Sequence, residues 1–465
     1  MNDASYKKQA IYTALHDMET ANQQAVSKLT DSVSLTAYRS FVRTSEDGRL
    51  IWTDAFREAL KEHEVLFIPA SKEPYYIDDS VLIPSNRHIE ADPNAVIRQL
   101  PGVPVLMFRN EHPEDGTHFP ENKKNRDCNI SINGGRWEES RTERAGYGRS
   151  GMYDRERSYY GVSACMLFSN LTNLTLTNMT FAHTGGFSVQ FGNINNVVCR
   201  NITFVECYAD GLHFNGNTEK VLIDSVKGQV GDDLVALNLY DWQDSSINFG
   251  PMKTVLCQNL ELSEDSRYKA LRILPGIYYY KDGTSVDCAL QDTIIKNVKG
   301  IRTFKLYYQT AAYELGSEPE RGGVGSGDNI FFEDISIVLE RPLEGFEPYK
   351  NSHPQLGSFA GFEIGSNLGN LYLDNIHITL RKDLYPMSFL VCAGPKSVRL
   401  NGREIFDPDA NCVVDNLHLS RIFVNGERVA DVSDYVHAIV LDDPYGDGTV
   451  YSRGEINHVY VDEPN

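Results

Sequence analysis

Positive charge is what this chain most lacks. Its 44 Lys and Arg face 64 Asp and Glu, giving a formal net charge of −20. A protein that tracks a phosphate backbone or lies on an anionic bilayer needs the opposite sign, so the composition argues against nucleic acid and membrane partners. It also disfavours a polyanionic substrate, unless a local basic pocket overrides the field. No apolar run approaches the ~18 residues of a membrane span. The first residues, Met1-Asn-Asp-Ala-Ser-Tyr-Lys-Lys8, contain no apolar signal core. The expectation is a cytoplasmic protein if this start is native, and a periplasmic or secreted one if a leader was removed. The eight cysteines include no CxxC pair and no Cys/His spacing of a zinc site. Cys165, Cys199, Cys207 and Cys257 fall inside strand-like runs, where a thiol packs as a small hydrophobe. Reduced core cysteines are therefore expected rather than a disulfide framework, and neither a cofactor nor a metal is expected.

What is present is enough apolar material for a substantial core, 41% of 465 residues. Tyr (25) and Phe (21) are plentiful. Aromatics line many sugar-binding grooves, although core packing is their commoner use. Residues 4–30 read as an amphipathic helix, with Ile11, Leu15, Met18 and Val26 on a helical period. A second helix is predicted over 53–63, with Thr53 as its cap and Phe56, Ala59 and Leu60 on its inner face. From Val65 the pattern turns to short strands punctuated by Asn, Asp and Gly, and it stays so to the end. The domain reading is a helical cap over 1–64 and one long β domain over 65–465.

The strands repeat. An Asn or Asp follows a short apolar run at Asn178, Asn201, Asp224, Asn259, Asn297, Asp334, Asn375 and Asn416, in steps of 23 to 41 residues. The shortest step is near the minimum for one turn of a three-sided β-solenoid, and longer steps imply loops at the corners. A corner Asn can hydrogen-bond to its copies along the stack. A β-sandwich is the competing architecture, but it needs no recurring Asn at one offset.

Three carboxylates fall on this repeat. Asp210 lies nine residues after Asn201, and Asp233 nine after Asp224, so the two occupy equivalent points on adjacent turns, roughly 5 Å apart. Asp232 adjoins them, and Phe187 holds the place on the preceding turn. Carboxyls held that close resist ionising together, so one can serve as acid and another as base. A bare Asp-Asp pair is more often a turn or a calcium ligand; the alignment with Asp210 is what favours catalysis. Alternation in the following strands points Val189, Leu212 and Val235 inward with Phe191, Phe214 and Leu237. It places Gln190, His213, Ala236, Arg272, Lys305 and Glu363 in one outward column. Gln190, His213, Arg272, Lys305, Tyr307 and Glu363 are the substrate-binding candidates. Arg272 and Lys305 could instead pair with the acids. The segment 138–160, rich in Arg, Glu, Gly and Tyr, is a solvated loop or a lid over the groove.

The pairing of Asp210-Gly with Gly231-Asp-Asp-Leu-Val-Ala-Leu-Asn238 one turn later resembles the polygalacturonase family (glycoside hydrolase family 28). Blood-group α-galactosidases of the same fold carry a similar acid trio. Ile132-Asn-Gly-Gly-Arg-Trp-Glu138 and Leu167-Phe-Ser-Asn-Leu171 are similar to first-turn signatures of that family, and the resemblance spans about residues 50–425. It implies an all-β fold, a right-handed single-stranded parallel β-helix preceded here by N-terminal helices. It implies glycoside hydrolysis with inversion, Asp232 as the general acid, and Asp210 and Asp233 holding and deprotonating the water. Such a pair of carboxyls is expected about 6.5–9.5 Å apart. Two family features are altered. The Gly-His-Gly segment is absent where Tyr268-Lys-Ala-Leu-Arg-Ile-Leu-Pro275 stands, and the Arg-Ile-Lys uronate clamp survives only as Arg272-Ile-Leu, with Lys305 as the other cation. Together with the net charge, this points away from polygalacturonate and toward a neutral or differently decorated sugar cut from a chain end.

The expected partner is thus an oligosaccharide or polysaccharide, with oligomeric state open. The competing functions are a lyase or epimerase on the same scaffold, using Arg272 or Lys305 as base with calcium on the Asp cluster, and a non-enzymatic carbohydrate-binding solenoid.

Overall fold

A computed structural model describes residues 3–113, 125–144, 164–241, 246–279, 283–307, 322–339, 360–380, 388–400, 403–406, 411–433, 436–438 and 450–462. The chain divides into two compact units. The first comprises Tyr12–Val235 with Asp244–Asn248, and the second Met1–Ile11, Ala236–Gln243 and Phe249–Asn465.

Two helices precede most of the strands. Helix α1 (Asp3–Val26) buries Ile11, Leu15 and Met18, three of the four apolar positions that defined its period. Helix α2 (Thr53–Glu62) buries Phe56, Ala59 and Leu60. Its cap position is Trp52, not Thr53; the Thr53 hydroxyl instead donates to Asp78 at 2.7 Å and accepts from the Asp78 N–H at 3.0 Å. Short strands already lie within 1–64: Ser32–Ser34 pairs parallel with Val65–Ile68, and Ile51 with Tyr76.

In the first unit, Val65–Ile68, Arg87–Gln99, Asp127–Glu138, Ala164–Thr177, Phe187–Val205 and Thr218–Gly228 pair in chain order, every neighbour parallel. Parallel neighbours in chain order require the backbone to cross back between them, and no helix follows α2 among the described residues, so successive strands read as turns of one coil. In the second unit, Met252–Leu262, Leu290–Ile301, Ser326–Leu339, Asn367–Leu380, Val413–Val424 and Glu455–Val461 form a like series. A parallel series beside it runs Ala270–Ile273, Thr303–Tyr307, Ala360–Gly365, Ser388–Leu400 and Val436–Ala438. The protein is mostly β with few helices.

The corner residues explain the register. Asn178, Asn201, Asn259, Asn297, Asp334 and Asn375 all adopt positive φ between 51° and 57°. Asn and Asp tolerate this left-handed turn best among residues with a Cβ. Their amides bond turn to turn, Asn201 Nδ2 to Asn178 Oδ1 at 3.0 Å and Asn297 Nδ2 to Asn259 Oδ1 at 2.6 Å. A second ladder joins Asn86, Asn129, Asn173 and Asn196. Two of the eight sequence markers belong elsewhere. Arg200 pairs with Asp224, so the residue stacked on Asn201 is Ser225, which takes φ 59°. Asn416 pairs with Asn370, and the residue equivalent to Asn375 is Arg421, at φ 51°. Position in the turn, not residue type, defines the column, and Ser or Arg can fill it.

Inward residues match the alternation. Val189, Phe191, Leu212, Phe214 and Val235 are fully buried, and Phe191 and Phe214 stack at 4.1 Å, 10° from parallel. All eight cysteines are free thiols, seven of them buried. Burial alone pushes the Cys257 thiol up to about 12, as fits an inert core position.

Candidate active site

The site grows from two successive turns of the first unit. The Ser188 N–H donates to the Asp210 carbonyl and the Gly211 N–H to the Asp233 carbonyl, both at 2.9 Å. One bonding pattern repeated at a 23-residue step makes Phe187, Asp210 and Asp233 equivalent positions. The one-residue slip at Ser225 is thus returned before Asp233, and the equivalence of the two acids survives the shifted marker. Gly231 lets the second turn close on the first: a Cβ there would lie 2.2 Å from the Tyr208 carbonyl oxygen. Asp210 and Asp233 are 1% and 0% exposed, and Asp232 is 9%. Asp232 is thus the one of the three that most nearly faces solvent.

One oxygen from each carboxyl lies within 4.8 Å of the others. Stacking explains it: equivalent positions on adjacent turns are one strand spacing apart, and no turn intervenes to widen the gap. Asp210 is held from two sides. Its Oδ1 accepts the Asp233 N–H at 3.0 Å and its Oδ2 faces His213 Nδ1 at 2.6 Å. Asp232 Oδ2 accepts from Arg144 at 2.8 Å.

The outward column is covered here. Gln190 pairs in register with His213, but the two are 0% and 1% exposed. Gln190 Nε2 donates to Asn215 Oδ1 at 3.1 Å, and the backbone N–H of Ile247 donates to the same oxygen at 3.2 Å. The His213 ring stacks on Phe187 at 3.8 Å and 9°. Both side chains are buried and hydrogen-bonded within the unit.

The second unit holds the cationic candidates. Arg272 pairs in register with Lys305, and Lys305 with Glu363, so the three form one column as the sequence alignment placed them. Lys305 is fully buried and donates to Glu363 Oε2 at 2.9 Å. Burial lowers the Lys305 amine to about 8 although Glu363 pulls it up, with Arg302 and Arg272 adding to the lowering. Arg272 lies 5.2 Å from the Tyr268 ring centre. The Tyr307 side chain lies outside the described residues, as does most of the proposed lid, 145–160. Of that segment, residues 138–144 are described, and Arg144 reaches Asp232.

A second group of possible cation ligands, Glu111, His112 and Asp127, also lies within 4.8 Å. Asp127 already accepts from Asn110 Nδ2, the His112 N–H and Ser85 Oγ at 2.7–3.1 Å, so its role is to fasten the loop.

Sequence reasoning missed Asn215, Arg144 and Glu139. Asn215 was findable, since it stands two residues after His213 and so shares its face. Glu139 sits just past the strand Asp127–Glu138, 1% exposed, with Oε2 accepting the Gly185 N–H at 2.7 Å. Burial pushes its carboxyl up to about 7, while the Gly185 bond and Arg141 pull the other way more weakly. A folded-state value above the ordinary 4.5 means that the folded protein keeps this proton longer than the unfolded chain. The stabilisation is complete below pH ~4.5 and is lost as pH rises through ~7, a change of roughly 3 kcal/mol. Glu139→Gln keeps an acceptor for Gly185 and removes this loss. Denaturant unfolding at pH 5 and pH 8 should show the variant gaining on the parent at the higher pH; an equal difference at both would refute ionisation of Glu139 as the cause.

No family model matches the chain, and no curated protein matches it. Among solved structures it is similar to a family 28 exopolygalacturonase from Yersinia enterocolitica, at 10% identity over 94% of this chain and 79% of that one, TM-score 0.46. It is similar to the catalytic unit of a GH87 α-1,3-glucanase from Streptomyces thermodiastaticus, at 12% identity over 93% and 69%, TM-score 0.47. It is also similar to PfbA, a surface adhesin of Streptococcus pneumoniae, at 10% identity over 92% and 93%, TM-score 0.40.

Proposed function

We propose that this protein is a glycoside hydrolase on a right-handed parallel β-helix, acting from a chain end on a galacturonide, galactoside or related glycan with inversion. The observation that carries the reading is the trio itself: three carboxyl oxygens within 4.8 Å, two of the groups on equivalent positions of adjacent turns. Negative charges at that spacing favour keeping a proton within the trio. A proton donor and a proton acceptor side by side are what glycosidic cleavage requires.

In this reading Asp232, the most accessible of the three, gives its proton to the leaving oxygen as the bond to the anomeric carbon breaks. The leaving oxygen takes the place that Arg144 occupies against Asp232 Oδ2. Asp210 and Asp233 orient the attacking water and take its proton. Each carboxylate oxygen has two lone pairs, so Asp210 can still accept from water after the bonds to His213 and the Asp233 N–H are made.

The test is a screen of aryl glycosides and pectic oligosaccharides, with and without a chelator, followed by proton NMR of the first-formed anomer. The inverted anomer is expected, with no effect of the chelator. A retained anomer replaces the mechanism. An unsaturated, ultraviolet-absorbing product lost on chelation replaces hydrolysis by elimination. Tight binding without turnover leaves a binding protein.

A further inference from the structure

We propose that His213 is a positioning residue, locked as the neutral Nδ1–H tautomer by a relay from the Ile247 backbone through Asn215, and that this tautomer fixes the orientation of Asp210. The kinetic part rests on the hydrolase reading; the tautomer stands without it.

The relay starts from a group whose role is fixed. A backbone N–H can only donate, and that of Ile247 points at Asn215 Oδ1 at 3.2 Å. Gln190 Nε2 donates to the same oxygen at 3.1 Å. The Ile247 bond decides which end of the Asn215 amide is oxygen, and the Gln190 bond agrees with it. Its Nδ2 is therefore a donor, and it faces His213 Nε2 at 3.2 Å. A proton on that Nε2 would oppose the Asn215 amide N–H inside a buried site, so the ring nitrogen there is the lone pair. The remaining ring proton is on Nδ1, 2.6 Å from Asp210 Oδ2, with a carboxylate to receive it.

A histidine beside a carboxylate ordinarily favours its charged form. Here the Asn215 donor opposes the second proton, and burial at 1% exposure does the same. Phe187 fixes the ring plane from one side, stacked at 3.8 Å. Asp210 then accepts one neutral N–H from His213 and one from the Asp233 backbone, which sets the carboxylate plane. Asp210 keeps its negative charge uncompensated by an imidazolium, as a base that must take a proton from water requires. The chemistry fits the fold: Asp210 and His213 come from one turn and its strand, while Ile247 comes from a separate segment.

Nitrogen NMR of ¹⁵N-histidine-labelled protein reads the tautomer directly. The protein has 12 His, and the His213 signals are those that vanish in His213→Asn. The expected pattern at neutral pH is a protonated Nδ1 and a bare Nε2. In Asn215→Asp the donor facing Nε2 becomes an acceptor, and both ring nitrogens should be protonated. A protonated Nε2 in the wild-type protein overturns the proposal, whether or not any glycoside is cleaved. With a substrate in hand, His213→Leu should lower kcat about 100-fold with KM little changed, through misplacement of Asp210. His213→Asn, whose amide Nδ2 can replace Nδ1 as donor, should stay within about tenfold of wild type. Equal losses in the two variants, with both melting as the parent does, overturn the positioning role. If no glycoside is turned over by wild type but the tautomer is as stated, the hydrolase reading fails and the relay stands.

Discussion

Asp232→Asn is expected to remove hydrolysis while leaving the protein folded. The substitution is nearly isosteric, and Asp232 sits at the edge of the trio rather than inside it, 9% exposed against 1% and 0% for its partners. Asn cannot supply a proton to a leaving oxygen, so the full general-acid contribution is lost, about 10²–10⁴-fold in kcat. Its amide can still occupy the place of the carboxylate beside Arg144, so the local packing is retained. Leaving-group dependence separates this role from mere disruption. An aryl glycoside with a strongly acidic phenol needs little protonation, and the variant should recover most of its rate there. A natural glycoside should stay uncleaved. The measurement is kcat across a series of phenols, with the thermal melt as the check on folding. Hydrolysis of a poor leaving group at the wild-type rate would remove Asp232 from the acid role.

Gly231→Ala is expected to damage the site through the backbone alone. The new Cβ would fall 2.2 Å from the Tyr208 carbonyl oxygen and 2.6 Å from its carbon. Both atoms are main chain, so no side-chain rotation relieves the overlap. The turn carrying Asp232 and Asp233 must lift from the turn carrying Asp210. The Gly231 and Asp232 N–H groups bond the Ala209 carbonyl at 3.3 and 3.4 Å, and both contacts would open. Overpacking of this kind costs about 1–3 kcal/mol of stability. A displacement near 1 Å of the acids should lower kcat about 100-fold. The readouts are a melt and kcat per folded molecule. Wild-type kcat with a lowered melting temperature would show that the turn relaxes without moving the acids, and would separate the two turns functionally.

Both expectations rest on a feature visible in the sequence, the repeat. Asn201 and Asp224 were read as equivalent, yet the residue stacked on Asn201 is Ser225. The equivalence of Asp210 and Asp233 nonetheless holds, because the turn that gained one residue near Thr218 loses it again before Asp233. The slip shows in the apolar positions, which step by 24 from Val197, Cys199 and Ile202 to Val221, Ile223 and Val226, and is hidden only when Asn and Asp alone are taken as markers. Arg421 shows the same limit: the left-handed corner is set by backbone geometry, and Asn is only its commonest occupant.

The side-chain partners were legible only in part. Alternation put Gln190 and His213 on one face and ordered Arg272, Lys305 and Glu363 in one column, and the register agrees within each unit. Alternation could not say what covers that face. Gln190 and His213 are buried, with the Ile247 N–H bonding the same Asn215 oxygen as Gln190, and no periodic signal marks the short segment that brings Ile247 there. Glu139 was equally hidden, because its environment is made by Gly185 on another turn.

Sequence alone was sufficient for the parallel coil of short strands, its Asn-marked corners, and the meeting of Asp210 with Asp233, since all three follow from a period along the chain. Tertiary structure decided the closeness of all three acids, the burial of His213, the donor from Arg144 and the tautomer-setting bond from Ile247. Those are distances between residues from separate turns or segments. A periodic pattern records which face a residue takes, whereas a hydrogen bond or a burial depends on what arrives opposite that face.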